Sequence, residues 1–157
     1  MMTRLPVRAR RRQRGVAAVE AAVLLPLLLV LLVFPLFFGR IFWHYAVLQK
    51  AAHDAARYLA TVPLVEMNNP ARGPLAADLA RAIATTETAE LYAGENSPVS
   101  ITVLCDDGNC DAGLPATVSV LARTRMYDPF FGSVTKPIFG EDGLLLRAKV
   151  VMRYVGQ

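Results

Sequence analysis

Acidic side chains are absent from the first 19 residues, where six arginines (Arg4, Arg8, Arg10, Arg11, Arg12 and Arg14) stand unopposed. Charge of either sign then all but disappears, since Glu20 is the one charged residue between Gly15 and Gly39. Histidine and cysteine are scarce, two of each in 157 residues. His44 and His53, nine apart, fall on opposite faces of a helix and cannot share a metal within one chain. Cys105 and Cys110 alone lack two ligands of a structural zinc site. The stretch between and just beyond them is acidic (Asp106, Asp107, Asp111), but it lacks the spaced carboxylates and distant glutamate of an EF-hand. There is no G-x-S-x-G, no phosphate-cradling glycine loop and no H-E-x-x-H. No catalytic residue, metal or cofactor is therefore expected, and the chain reads as something other than an enzyme.

What is present begins with an apolar run. Val16 to Gly39 is 24 residues. As a helix it would measure about 36 Å, enough to cross a hydrocarbon core of roughly 30 Å with some tilt. An excess of arginine holds its side of a membrane helix in the cytoplasm, so Arg10, Arg11, Arg12 and Arg14 are the topology signal. The organisation expected is a basic cytoplasmic leader over 1–15, a transmembrane helix over 16–39 and a domain outside over 40–157. A carboxylate within an insertion segment is costly, which makes Glu20 a residue in need of a partner.

The segments GVAAVEAAVLLPLLL (Gly15 to Leu29) and FGRIFWHYAVLQKAAHDAARYLA (Phe38 to Ala60) resemble the TadE-like family of pilus-assembly proteins. These are minor pilins, or pseudopilins, of the tight-adherence, type IVb-like pilus system. The resemblance covers roughly the first 60 residues, and the rest only through its strand pattern. It implies that a prepilin peptidase cuts between Gly15 and Val16, and that Glu20, the fifth mature residue, meets a neighbouring subunit's new amine. Ala21 stands where the family usually places an aromatic, and the mature chain would start with Val16 rather than Phe. Also implied are a companion minor pilin, a major pilin, an inner-membrane assembly platform and a role in surface attachment. The location implied is the bacterial inner membrane, with a periplasmic C-terminal domain and incorporation into an extracellular pilus as a further step.

Two other readings of the N-terminus stay open. One is an uncleaved single-pass envelope protein whose periplasmic domain binds a ligand or partner. The other is a secretory signal peptide, but its apolar core should run about 7–15 residues and end in a small-x-small site. Here the run continues into FFGRIFWHY.

The net charge of +4 reflects the leader, because residues 16–157 carry 11 basic and 13 acidic residues, net −2. A pI near 9.4 thus reports topology, and no nucleic-acid partner is expected. Beyond Arg40, Phe42, Trp43 and Tyr45 suit the membrane–water boundary, with His44 beside them. The helix should continue through an apolar stripe of Val47, Ala51, Ala55, Tyr58 and Leu59, with Lys50, Asp54 and Arg57 pairing on the wet face. A breaker-rich loop spans Val62 to Pro74, and a second helix runs from Pro74 with Leu75, Leu79 and Ile83 at four-residue spacing, stopping near Gly94. Three strands follow, starting near Val99, Ala116 and Leu144, the last with Arg147, Lys149 and Arg153 on one side. The fold class expected is α+β, a long helix, a second helix and a small antiparallel three-stranded sheet, pilin-like. Cys105 and Cys110 lie in the first hairpin's loop, on the side where disulfides are permitted, and are expected to pair. Pro26 reads equally as a packing bend or a harmless kink, and Phe130, Phe131 and Phe139 as core caps or a contact patch.

Overall fold

The computed structural model describes residues 13–92, 98–111, 113–126, 140 and 143–156. Arg10, Arg11 and Arg12, the expected cap at Gly94, and the loop with Phe130, Phe131 and Phe139 lie outside them. Two compact units divide the chain at Arg40 and Ile41, and the first helix, α1 (Gln13–Ala60), contributes residues to both.

The first unit is the apolar part of α1. The helical assignment runs through Pro26 and Pro35 without a break. Proline has no N–H to give the carbonyl four residues earlier, which leaves Ala22 and Leu31 without that intrahelical donor.

In the second unit, α1 buries a row of small residues. Leu48, Ala51, Ala52, Ala55, Ala56 and Leu59 are fully buried, following the i, i+3, i+4, i+7 spacing of one helix face. Alanine at four of these positions keeps the surface low, so neighbouring elements can come close. Thr61 ends the helix, its hydroxyl donating to the Arg57 and Tyr58 carbonyls. A single turn, α2 (Leu64–Met67), interrupts the proline-rich loop and buries Met67.

The next helix, α3 (Gly73–Glu87), has proline in its first turn and buries Gly73, Ala76, Ala77, Ala80 and Ala84. Its four-spaced leucines do not face the core: Leu75 and Leu79 are exposed, because the alanine row packs inward. α3 also stops well before Gly94. Thr85, Thr86 and Thr88 turn their hydroxyls back onto the carbonyls of Arg81, Ala82 and Ala84. Such side-chain bonds compete with the helical ladder and weaken its continuation. A 3-10 turn over Ala89–Tyr92 follows. Lys50 joins the two helices, its Nζ lying 3.1 Å from Glu87 and 3.5 Å from Asp54. These ion pairs hold the ammonium above its ordinary pKa, with Glu87 the main cause.

The sheet is an antiparallel meander in the order β1 (Ser100–Cys105), β2 (Thr117–Met126), β3 (Leu144–Arg153). Ser100 opposes Arg123 and Cys105 opposes Val118. Thr117 opposes Arg153 and Met126 opposes Leu144. Val103, Val118, Val120, Ala122, Thr124, Leu146 and Ala148 are buried on the inner face. In β2 Val118, Val120, Ala122, Thr124 and Met126 are all buried on one side, so Ala122 shares the face of Val118 while Leu121 shares that of Ser119, which is itself buried. The end of β3 is tied to the end of α1, with Val155 N donating to Ala60 O at 3.0 Å. Tyr154 Oη donates to Val62 O at 2.7 Å, and burial raises the pKa of this phenol.

Candidate functional site

Every residue from Gly15 to Leu32 is exposed in the folded chain, although all but Gly15, Glu20 and Pro26 are alanine, valine or leucine. Leaving so much apolar surface uncovered is unfavourable in water, at about 25 cal/mol per Å², and favourable in lipid. α1 is long and apolar enough to cross a membrane, with a mean hydropathy of 2.9 over its most apolar stretch.

Glu20 stands alone in this surface. On the helix it lies one turn beyond Val16 on the same face, about 6 Å along the axis. The Gly15–Val16 bond sits in the first turn of α1, where backbone N–H groups have no intrahelical acceptor and the helix opens most readily. Nothing in the fold requires glycine at position 15: an added Cβ would meet no atom within 4 Å. Glycine in a helix costs about 1 kcal/mol relative to alanine. Its presence is therefore not a packing requirement of this chain.

The other sequence-selected residues fall into two places. Phe42, Trp43 and Tyr45 are exposed, as rings at a membrane boundary would be. His44, unlike those neighbours, is buried. It is 2% exposed, because it lies one turn before Leu48 and so begins the buried face of α1, with its ring edge-on to Trp43 at 5.0 Å. Among the described residues no three His, Cys, Asp or Glu side chains come together in a way that could hold a metal ion.

Cys105 and Cys110 lie at bonding distance, 2.01 Å between sulfurs, and both are buried. Between them is a tight hairpin. Cys105 N donates to Gly108 O at 2.8 Å, and Gly108 N returns to Cys105 O at 2.9 Å. Asp106 (φ 49°) and Asp107 (φ 62°) are both left-handed, the signature of a type I′ turn, a conformation that aspartate tolerates better than most residues. Asp106 then braces the wider loop, accepting bonds from Ala116 N and Thr117 N at 2.8 Å and from Thr117 Oγ1 at 3.0 Å. The two backbone donors hold its carboxyl below the usual aspartate pKa. The loop also rests on α3, for a Cβ at Gly73 would collide with the Cys110 carbonyl oxygen.

One arrangement was not readable from spacing along a single strand. The solvent face of the sheet places Arg123 directly opposite Arg147, with Arg125 and Lys149 nearby. Alternating arginines at 123 and 125 in β2 were the available signal, but only the register brings them to β3.

Residues 15–57 match the family model of TadE-like proteins. This is the stretch that carries Gly15, Val16, Glu20 and the apolar helix, and it connects the chain with Tad pilus assembly. No curated protein and no solved structure matches the chain.

Proposed function

With its anchor segment TadE-like, the protein is, we propose, a minor pilin of a tight-adherence pilus, cut by a prepilin peptidase between Gly15 and Val16. The observation that carries this reading is Glu20, a lone carboxylate in the otherwise uncharged apolar stretch from Gly15 to Gly39, one turn from Val16. Removal of the arginine leader creates an α-amine at Val16, and Glu20 of a neighbouring subunit is the carboxylate that meets it. Until then the helix is held in the inner membrane, with the leader in the cytoplasm and the 40–157 domain in the periplasm. No catalytic step by this chain is part of the proposal.

The two prolines support packing among subunits in the same way. The carbonyls of Ala22 and Leu31, short of a donor, are tolerated in an apolar medium when neighbouring helices or local adjustments satisfy them. The companion minor pilin, the major pilin and the assembly platform are the partners such a helix would meet, and surface attachment is the outcome. Glu20→Ala tests the role of the carboxylate. Breaking a desolvated charge pair by removing one member costs about 3–5 kcal/mol, enough to empty an assembly equilibrium. The variant should insert in the membrane at least as well as the wild type and form no pili. Normal piliation would eliminate the proposed pairing.

A further inference from the structure

Among the described residues the sheet is electrically polar from end to end. At one end Arg123 and Arg147 face each other across β2 and β3, and with Arg125, Ser100 and Leu145 they line a shallow depression of about 320 Å³. Like charges directly opposite one another oppose strand pairing. Among the described residues neither Arg123 nor Arg147 makes an ion pair. At the other end, five residues along β1 and so about 17 Å away, the disulfide-distance hairpin exposes Asp107 and Asp111. Asp106 is occupied in bracing that loop, Asp78 is paired with Arg81 on α3 beside it, and Arg153 reduces the negative charge there without matching it.

We propose that the arginine end of the sheet receives the Asp107–Asp111 hairpin of a second copy of this chain. Guanidinium forks bind carboxylates in pairs of parallel hydrogen bonds, and Arg147, exposed beside a half-buried Arg123, stands at the opposite end of one sheet from the exposed Asp107 and Asp111. A contact between two different patches is heterologous, so repeated it builds an open row of copies rather than a closed dimer. Exposed ion pairs are individually weak. The contact therefore operates when anchors confine copies to one membrane or filament and raise their effective concentration. It rests on the pilin reading only for that gathering of copies.

The test uses the full chain, in two differently tagged forms, reconstituted in phosphatidylcholine vesicles. The photo-reactive residue p-benzoylphenylalanine replaces Leu145 in the depression, and adducts are mapped by mass spectrometry. Adducts between copies on residues 106–111 are expected. Their yield should fall about tenfold either with Asp107→Asn plus Asp111→Lys or with Arg123→Glu plus Arg147→Glu, a change of about 1.4 kcal/mol that takes the loss of both exposed pairs rather than one. A mixture restores them when probe-bearing chains with the altered hairpin meet probe-free chains with the altered arginine end, since each then supplies the intact half. That recovery also shows that both variants fold. Adducts to lipid or within one chain, adducts indifferent to the charge changes, or none in the mixture would overturn the proposal. Adducts form whether or not the chain is cut after Gly15, so their absence leaves the processing question untouched.

Discussion

Gly73→Ala is expected to destabilise the second unit although alanine is the better helix former. Gly73 opens α3 and is buried. Its φ is ordinary, so alanine would be unstrained there, but the added Cβ would run into the Cys110 carbonyl oxygen and come within 3.2 Å of the Met67 carbonyl oxygen. Both obstacles are backbone atoms, in segments that cannot step aside as a flexible side chain would. Forcing a methyl into such a site costs about 1–3 kcal/mol. The propensity gain is at most about 1 kcal/mol and smaller at a helix's first position. The net loss should be about 1–2 kcal/mol, which for a unit of this size lowers Tm by roughly 4–8 °C. Thermal unfolding of the full chain in detergent, followed by near-ultraviolet circular dichroism, reads this directly. A double-mutant cycle sharpens it. With Cys105→Ser and Cys110→Ser the loop can yield, and the cost of Gly73→Ala should shrink by about 1 kcal/mol. An unchanged or higher Tm for Gly73→Ala in the disulfide-containing protein would refute the close approach of α3 to the hairpin.

Two further outcomes follow from the same geometry. Tyr154→Phe removes a partly buried hydrogen bond to the Val62 carbonyl and should cost about 1 kcal/mol in chemical denaturation, with no loss expected if that tie is absent. Asp106 is a carboxylate with a depressed folded pKa, so the bracing it provides is complete above the ordinary value of 3.8 and is lost only as pH falls through the lower folded value. The amide resonances of Ala116 and Thr117 should titrate with a midpoint below 3.8, and a midpoint at or above it would show that the carboxylate does not hold the loop.

Much of this architecture is written in local pattern. The period of the chain switches from helical to alternating after Pro98, and the three strands appear where alternation predicts them. The alanine row of α1 announces a close neighbour before any neighbour is known. What local pattern does not carry is the choice between two plausible faces. Leu75 and Leu79 look like a core stripe at four-residue spacing, yet the smaller Ala76, Ala80 and Ala84 are buried, because α3 approaches too closely to admit leucine. The threonines that end α3 act through side-chain bonds to its own carbonyls, which weigh against the helix in a way composition understates. The Lys50–Glu87 pair joins residues far apart in sequence and was not foreseeable, whereas Lys50–Asp54 follows from spacing alone. The arginine cluster is likewise a product of strand register. At the N-terminal segment the position is reversed. Gly15, Val16 and Glu20 are fully legible in the sequence because their proposed role depends on charge and spacing along one helix rather than on tertiary packing.

The most direct measurement is the N-terminal residue of the protein isolated from its native host, determined by mass spectrometry of the intact chain and its first peptide. Val16 is the expected result. Met1 on protein recovered from functional pili would contradict processing after Gly15, and a first residue beyond Gly39 would mean that the apolar helix had been discarded as a secretion signal.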